Sequence, residues 1–294
     1  MDSKHESSAP HCRFLDESYF AELHHAFLQA FSDYVMPFEL NEAQFRNHVV
    51  LNAVDLASSV GVFDGGKLIG FTLNGLGRWK GLATIYDAGT GVFPDYRRRG
   101  LSNNMFAMML PRFRSLGYRQ CLLEVITINE KAINLYKKLG FQTTRVLSLL
   151  HLTDTVRKAA GNVEGIETRE IEHADWEHLK TFWDGEPSWQ NSPEAIDRSR
   201  DRKRFIGAFN GDQCVGYLIY AVNVGRIAQM AVDPQYRRRG IGTVLLRSMI
   251  ADINEDATPQ VINIDRSIAS GMAFFEKHGF TERLSQFEMM LEMG

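Results

Sequence analysis

The sequence predicts two domains of the α/β class, each a mixed, mainly antiparallel α+β sheet covered by helices. The first observation is length, because 294 residues correspond to about two domains at roughly 150 residues each. The second is an internal repeat, since PDYRRRG at 94–100 returns as PQYRRRG at 234–240. The third is that short apolar runs, typical of strands, alternate with apolar residues spaced by three and four, typical of helices.

Two further matches keep the same order and extend the repeat over most of the chain. VFDGGKLIGF (62–71) matches AFNGDQCVGY (208–217), and LYKKLGF (135–141) matches FFEKHGF (274–280). The offset in numbering is larger at the first pair than at the arginine motif. About six extra residues in the first half, near 75–82, account for the difference.

The domain boundaries follow from this repeat and from a change in composition. Residues 153–165 read TDTVRKAAGNVEG, which is polar and weakly patterned. Such segments are typical of connections rather than of packed elements. We therefore predict one domain at 12–152 and a second at 166–294.

In the first half, apolar spacing and turn residues predict two helices, a hairpin and then strands that alternate with helices. Phe20, Leu23, Phe27 and Phe31 are spaced by three and four, as on one face of a helix. Gly140 stands where a helix C-terminal glycine is common. The predicted elements are helices at 20–31, 41–53, 101–116 and 129–139 and strands at 60–63, 68–73, 83–92, 120–126 and 145–152.

The second half repeats this order. Its predicted elements are helices at 174–182, 193–201, 239–254 and 268–277 and strands at 166–171, 204–209, 214–222, 226–233, 260–264 and 286–292. In each half, a parallel step late in an otherwise antiparallel order defines the mixed class.

The composition is typical of a soluble globular protein. Lys and Arg total 33 against 36 Asp and Glu, whereas a general nucleic-acid binder carries a positive excess. No apolar run approaches the roughly 20 residues that span a bilayer, and residues 1–10 lack the apolar segment of a signal peptide. The three cysteines are far apart and no HExxH is present, so neither a disulfide framework nor a metal site is expected. We predict a cytoplasmic protein that binds neither nucleic acid nor membrane.

Each half places the pattern P-x-x-R-x-x-G-x-(small) between a strand and a helix. It contains Pro94, Arg97, Gly100 and Ser102 in the first half, and Pro234, Arg237, Gly240 and Gly242 in the second. A helix N-terminus offers unpaired N–H groups and partial positive charge, and glycine lets the backbone approach an anion. The pattern therefore predicts a phosphate-binding loop; the alternative is that the glycines only shape a turn. Neither GxxxxGK[ST] nor an N-terminal GxGxxG is present, so a P-loop NTPase and a dinucleotide fold are not supported.

These residues resemble a known family. Arg97-Arg98-Arg99-Gly100-Leu101-Ser102 and Arg237-Arg238-Arg239-Gly240-Ile241-Gly242 resemble the R/Q-x-x-G-x-G/A signature of the GCN5-related N-acetyltransferase (GNAT) superfamily. The segment from Asn129 to Phe141 resembles its N-x-x-A-x-x-L-Y-x-x-x-G-F segment. The resemblance covers both halves after about residue 12. It implies a tandem GNAT protein that moves an acetyl group from acetyl-CoA to a primary amine.

By this resemblance, each signature loop binds the pyrophosphate of acetyl-CoA, and the strand before it binds the pantetheine arm through its backbone. Asn129 is also implied to contact pantetheine. The implied cofactor-binding residues are Thr90, Gly91, Val92, Arg97, Arg98, Arg99, Gly100, Leu101, Ser102, Asn129, Met230, Ala231, Val232, Arg237, Arg238, Arg239, Gly240, Ile241 and Gly242.

The resemblance places the general acid at Tyr136, and the carboxylates Asp87 and Glu124 are candidates for the base. A tyrosine hydroxyl, with a pKa of about 10, can protonate a leaving thiolate of pKa about 8.5. The amine attacks directly in its neutral form, so a carboxylate must take its proton. For each carboxylate, the alternative is an ordinary structural role.

The two halves are not equivalent. The position matching Tyr136 is Phe275, and the one matching Asn129 is Ile268. Phenylalanine has no proton to donate, so we expect the chemistry in the first half, with Asp265 the candidate base if the second half reacts. Ser102 departs from the Gly or Ala of the signature. Catalysis in the second half, and a non-catalytic acyl-CoA sensor or scaffold, stay open as alternatives.

The acceptor site is predicted near the first two helices of each half. The acidic and aromatic residues there suit a cationic amine, although solvated loop residues are the alternative; they are Asp33, Tyr34, Glu39, Asp184 and Glu186. Polyamines, aminoglycosides, amino acids and protein N-termini all fit as acceptors. The chain is expected to be a monomer with an internal pseudo-dimer or a homodimer.

Overall fold

The computed structural model describes residues 9–34, 40–153 and 163–294. Contacts divide the described residues into two compact units. Counting described residues only, the first unit contains 9–125, 129–143 and 289–294, and the second contains 126–128 and 144–288. In the described part of the chain, no helix is both long and apolar enough to cross a membrane.

The first unit is a sheet with helices on it. Its strands lie in the order β1-β2-β3-β4-β5; all neighbours are antiparallel except β4 and β5, which are parallel. Its elements are β1 (His11–Phe14), α1 (Phe20–Ala30), α2 (Glu42–Leu51), β2 (Val60–Asp64), β3 (Lys67–Trp79), β4 (Leu82–Val92), α3 (Leu101–Ser115), β5 (Gln120–Ile126) and α4 (Glu130–Lys138).

The second unit has the same kind of sheet. Its elements are β6 (Gln142–Leu152), β7 (Ile166–Glu170), α5 (Trp176–Lys180), α6 (Pro193–Arg198), β8 (Arg204–Asn210), β9 (Gln213–Ala221), β10 (Arg226–Val232), α7 (Ile241–Asp252), β11 (Gln260–Asp265), α8 (Ala269–Lys277) and β12 (Phe280–Glu292). The strand order is β6-β11-β10-β9-β8-β7, with residues 280–288 of β12 beside β6. β10 and β11 are parallel, and the pairs β6–β11, β9–β10, β8–β9 and β7–β8 are antiparallel. These sheets confirm the predicted fold class.

The bounds of the elements follow the predictions with a few differences. The strand His11–Phe14 was not predicted, and β12 begins at Phe280, before the predicted start at 286. The hairpin of β3 and β4 runs from Lys67 to Val92, whereas the shorter hairpin of β9 and β10 runs from Gln213 to Val232. The greater length of the first hairpin accounts for the extra residues inferred from the repeat.

Capping residues set where α4 begins and ends, and apolar packing places the helices of the first unit on its sheet. The Asn129 side chain accepts a hydrogen bond from the Ala132 N–H (3.2 Å) and so caps α4. Gly140, at φ 96°, ends the same helix. Apolar faces of the helices then pack on the sheet in a core that includes Leu23, Phe27, Phe45, Phe71, Ile85, Met105, Phe106, Met109, Phe113 and Leu122.

Two irregularities of the sheet shape the site. β4 carries a bulge, because Leu73 is paired with Gly89 while the next residue, Asn74, is paired with Asp87, which leaves Ala88 unpaired. The parallel pairing of β4 with β5 ends where Asp87 faces Leu123. Beyond that point the two strands separate, which opens the sheet beside the last residues of β4.

Candidate active site

The open part of the first-unit sheet presents backbone groups of β4. The Phe93 N–H donates to the Ile69 carbonyl on the β3 side (2.9 Å). Because alternate residues of a strand point their N–H groups to opposite edges, those of Val92 and Thr90 face the side from which β5 has separated. These are residues predicted to bind a pantetheine arm.

The loop after β4 has the backbone conformation of an anion-binding loop at a helix N-terminus. Arg98 and Gly100 have left-handed backbones, at φ 62° and 75°, a conformation that is uncommon for a non-glycine residue. Asn104 is the first residue whose N–H bonds back into the helix, to the Gly100 carbonyl (3.1 Å). No side chain caps the helix at Gly100, so the N–H groups of residues 101–103 have no helical partner in the described structure.

The second unit repeats the loop closely. Arg238 and Gly240 have φ values of 63° and 92°, and the Val244 N–H donates to the Gly240 carbonyl (3.1 Å). Both loops therefore fit the phosphate groups of a nucleotide cosubstrate.

The first arginine of each loop holds the loop in place, which the sequence did not reveal. Arg97 donates to the Val92 carbonyl (3.1 Å) and the Ala30 carbonyl (2.8 Å) and pairs with Asp33 (2.6 Å). This hydrogen bond lowers the pKa of Asp33. Asp33 is a predicted acceptor-site residue; its carboxylate is engaged with this arginine, and its acceptor role stays a prediction.

Arg237 makes the same three kinds of contact in the second unit. It donates to the carbonyls of Val232 (3.0 Å) and Phe182 (2.8 Å) and pairs with Asp184 (2.8 Å). The hydrogen bond from Arg237 lowers the pKa of Asp184. Glu39 lies outside the described residues.

The other loop arginines differ in what their side chains do. Arg99 donates to the Asp95 carbonyl (2.9 Å), and Arg239 does the same to Gln235 (3.0 Å), so both fold back on their own loop. Arg98 and Arg238 are exposed and make no hydrogen bond or ion pair with any described residue. Their side chains are therefore the ones left to contact a bound phosphate.

Asp87 and Tyr136 meet in a buried contact. The Tyr136 hydroxyl donates to Asp87 Oδ2 (3.2 Å), and the two residues are only 7% and 5% exposed. Thr90 Oγ1 also donates to Oδ2 (2.9 Å), and the Gly89 N–H donates to Oδ1 (3.0 Å). The structure thus brings together two of the three predicted catalytic residues. Of the two further donors, Thr90 was predicted only as a cofactor-binding residue, and Gly89 was not singled out by the sequence.

Burial dominates the acid-base properties of this pair. It raises the pKa of Asp87 to about 6, although the hydrogen bonds from Thr90, Gly89 and Tyr136 oppose it. Burial, and then the charge of Asp87, raise the pKa of Tyr136 well above its ordinary value. Asp87 can accept a proton near neutral pH, whereas Tyr136 alone is a weak acid.

The remaining predicted residues of the first site have other partners. Glu124 accepts a hydrogen bond from the Tyr86 hydroxyl (2.9 Å). Asn129, besides capping α4, donates to the Tyr34 hydroxyl (3.4 Å).

The second unit has apolar residues at the positions that match Asp87 and Tyr136. With the offset that aligns Arg97 with Arg237, Asp87 and Thr90 correspond to Ile227 and Met230. The register of β10 shifts between Ile227 and Gln229, at the place matching the bulge of β4, which supports the alignment. Phe275 matches Tyr136.

Asp265, the candidate base of the second half, is held as an ion. Its side chain pairs with Arg145 (3.4 Å) and accepts two hydrogen bonds from Ser267. Burial opposes these contacts, but they hold the pKa of Asp265 below its ordinary value. Asp265 is therefore poorly suited to take a proton.

A cavity of 580 Å³ lies in the second unit between β10, β11, α8 and the loop that contains Arg238. Ile227, Met230 and Phe275 are among its lining residues. In the described part of the chain, no group of three or more His, Cys, Asp or Glu is placed to hold a metal ion.

Comparison with known proteins relates both halves to one family. A model of the acetyltransferase (GNAT) family matches residues 17–141, and one of the acetyltransferase (GNAT) domain matches 172–290. The chain is 32% identical over 92 residues to N-alpha-acetyltransferase 30 of Xenopus laevis and of Homo sapiens, which is 29% of this chain and 34% and 25% of those proteins. The chain thus matches about a third or less of the length of these curated relatives.

Solved structures share the fold over nearly the whole chain. A GCN5-related N-acetyltransferase from Sphaerobacter thermophilus has a TM-score of 0.74 at 14% identity, covering 97% of this chain and 96% of its own. A tandem GNAT protein from the clavulanic acid biosynthesis pathway has a TM-score of 0.72 at 14% identity, and the match covers 97% of this chain and 99% of that protein's chain. With a family match in each half and the paired signature loops, this chain belongs to the GNAT acetyltransferase family and carries two GNAT domains in tandem.

Proposed function

We propose that the chain is an acetyl-CoA-dependent N-acetyltransferase whose chemistry takes place in the first unit. The observation that carries the proposal is the buried contact of Tyr136 with Asp87 (3.2 Å) where β4 and β5 separate. The matching positions in the second unit, Phe275 and Ile227, have neither an acid nor a base.

The loop and the end of β4 would hold the cosubstrate. The N–H groups of residues 101–103 and the side chain of Arg98 would bind the pyrophosphate. Ser102 is small enough to leave the backbone of the loop accessible. The N–H groups of Thr90 and Val92 would bind the amide groups of pantetheine. Acetyl-CoA, when bound, supplies the acetyl group as a thioester.

Asp87 and Tyr136 would move one proton from the amine to the sulfur. Asp87 takes a proton from the amine nitrogen as the C–N bond forms, and Tyr136 gives its proton to the sulfur as the C–S bond breaks. The phenolate of Tyr136 is a much stronger base than the carboxylate of Asp87, so the proton on Asp87 passes to Tyr136 in the same event. The coupling lets a tyrosine of high pKa act as an acid, and the proton lost by the amine ends on the thiol.

The amine is proposed to be primary, and a peptide α-amine is the first class to test. Its support is the name of the curated relatives, N-alpha-acetyltransferase 30. Small amines are the comparison class in the same assay.

The test is CoA release with acetyl-CoA and a panel of amines, for wild type, Tyr136→Phe and Asp87→Asn. Each substitution is expected to lower kcat by tenfold or more, within the roughly 10²–10⁴-fold range of general acid-base catalysis, with little change in the Kd for acetyl-CoA. Tyr220→Phe is the matched control, because Tyr220 is also buried and donates to an aspartate, Asp252 (2.6 Å), in the core of the second unit. Wild-type turnover in both site variants would remove the pair from the mechanism.

A second candidate role belongs to the second unit, which we propose as an acyl-CoA-binding module without catalysis. The cavity beside an intact loop, lined by Ile227 and Phe275, supports it. Calorimetric titration with acetyl-CoA should give two sites in wild type. Arg238→Glu should remove one without lowering turnover, and Arg98→Glu should remove the other and lower it. Both arginines are exposed, so neither change disturbs a core. A single site that Arg238→Glu leaves intact would exclude this role.

A further inference from the structure

We propose that His48 is a positioning residue for Asp87, acting through the peptide group between Ala88 and Gly89. The inference rests on the function proposed above for Asp87. His48 lies on α2, 40 residues away in sequence from the carbonyl it contacts.

The bulge of β4 creates the need for such a residue. Ala88 has no paired residue on β3, so its carbonyl falls outside the ladder. His48 Nε2 lies 2.8 Å from this oxygen. A partly buried carbonyl that loses its strand partner is stabilised by another donor, and the imidazole of His48 supplies one from α2.

The tautomer of the His48 imidazole is fixed by the contact that its other nitrogen, Nδ1, makes with Asn52. The Asn52 side-chain nitrogen lies 3.2 Å from His48 Nδ1 and also donates to the His48 carbonyl (2.9 Å). An amide nitrogen carries two N–H donors and cannot accept, so it donates to Nδ1. Nδ1 is therefore an acceptor, and the proton sits on Nε2, where it is donated to Ala88. Asn52 is fully buried, so this tautomer is held by the fold.

One rigid group connects His48 to the carboxylate. The Ala88 carbonyl and the Gly89 N–H belong to the same planar peptide, and the Gly89 N–H donates to Asp87 Oδ1 (3.0 Å). His48 thus sets the orientation of the N–H that holds the carboxylate. Donation to the carbonyl also polarises the peptide and strengthens that N–H as a donor.

The effect on titration has a definite direction. Weakening the Gly89 hydrogen bond destabilises the ionised carboxylate, so the pKa of Asp87 should rise when His48 can no longer donate. Among the described residues, the titratable groups that face Asp87 are Tyr136 from α4 and Cys121 from β5. A change of His48 leaves both in place.

The experiment is a pH titration of the Asp87 carboxyl carbon by NMR, with CoA release measured over the same pH range. His48→Phe keeps the ring packing against Phe27, at 5.7 Å between ring centroids, and removes the donor. We expect the midpoint to move upward by about 0.5 pH, and kcat to fall with little change in the KM for acetyl-CoA. His48→Gln keeps an N–H at a similar reach and should restore both.

His24→Phe is the matched control. His24 also bonds a backbone carbonyl, that of Leu40 (2.6 Å), and stacks on Phe45 (5.2 Å), but has no link to Asp87. An unchanged Asp87 midpoint in a folded His48→Phe protein, or an equal shift in His24→Phe, would overturn the inference. Because the NMR titration needs no turnover, an inactive wild type would reject the proposed function and leave the positioning role to be judged by the midpoint.

Discussion

At the residue scale, the acid-base properties of Asp87 also determine part of the stability of the protein. Its carboxylate is 5% exposed, and its partners in the described part of the chain are neutral donors, Thr90, Gly89 and Tyr136. The folded-state pKa of about 6 lies above the ordinary 3.8. A group of this kind contributes its stability below the unfolded pKa and loses it as the pH rises through the folded value. Asp87 therefore lowers the free energy of unfolding at pH 8, relative to pH 4, by up to about 3 kcal/mol.

Asp87→Asn should stabilise the protein at pH 8 while it lowers turnover by tenfold or more. Its gain in the free energy of unfolding over wild type should be largest above pH 7 and should fall by up to about 3 kcal/mol between pH 8 and pH 4. Urea unfolding at several pH values measures this. Asp252→Asn, which removes a carboxylate paired with Arg204 (3.3 Å), should show no such gain. A difference between Asp87→Asn and wild type that does not depend on pH would contradict the assigned titration.

Sequence motifs predicted single residues of the site better than they predicted contacts. Tyr136 and Asp87 were recognisable from a helix motif and from a strand before the loop. That they touch depends on how α4 packs on β4, which local spacing does not encode. His48 had no local signal, because its role comes from a bulge 40 residues further along.

At the scale of elements, the loop before α3 shows why a repeated sequence gives a repeated backbone. Arg98 and Arg238 share φ values of 62° and 63°. The first arginine of each loop donates to a carbonyl at or just after the end of an earlier helix, Ala30 in α1 and Phe182 after α5. The glycines were predicted from the motif. The contact of Arg97 with Asp33 was not, because 64 residues separate them.

Gly100→Ala should weaken acetyl-CoA binding more than it weakens the fold. The φ of 75° disfavours any L side chain, by about 1–2 kcal/mol, while nothing lies within 4 Å of the added carbon. Gly117→Ala is the control, since Gly117 has φ 85° with the same open space but lies after α3, away from the loop. Urea unfolding and calorimetric titration measure the two effects. We expect similar losses of stability and a loss of affinity only for Gly100→Ala; equal affinities would exclude this helix N-terminus as the phosphate site.

At the scale of the whole molecule, the compact units do not coincide with the two sequence repeats. Residues 144–152, at the end of the first repeat, are grouped with the second unit, and 289–294 with the first. The domain boundaries 12–152 and 166–294, which were drawn from the sequence repeat, stay a prediction. Both segments have the apolar pattern of a strand, and pattern alone does not select the strand with which each one pairs. That choice depends on tertiary contacts, which the repeat could not reveal.

The C-terminal residues are expected to stabilise the first unit, with which residues 289–294 are grouped. The Met293 N–H donates to the Arg119 carbonyl (2.8 Å), and Leu291 is 7% exposed. Leu291 Cδ1 lies 3.2 Å from where a Cβ on Gly140 would stand, at the end of the helix that bears Tyr136. Leu291→Ala should cost about 2–5 kcal/mol and reduce CoA release at temperatures near the new Tm.

The neighbouring residue provides the control for this change. Glu292 is exposed, so Glu292→Ala should leave the Tm and turnover at wild-type values. Hydrogen exchange then locates the effect, because loosening of the first unit should appear in peptides from 120–141, although the substitution is far from them in sequence. Faster exchange confined to peptides from 163–288 would show instead that the C-terminal residues support the second unit, and would separate them from the site of Asp87 and Tyr136.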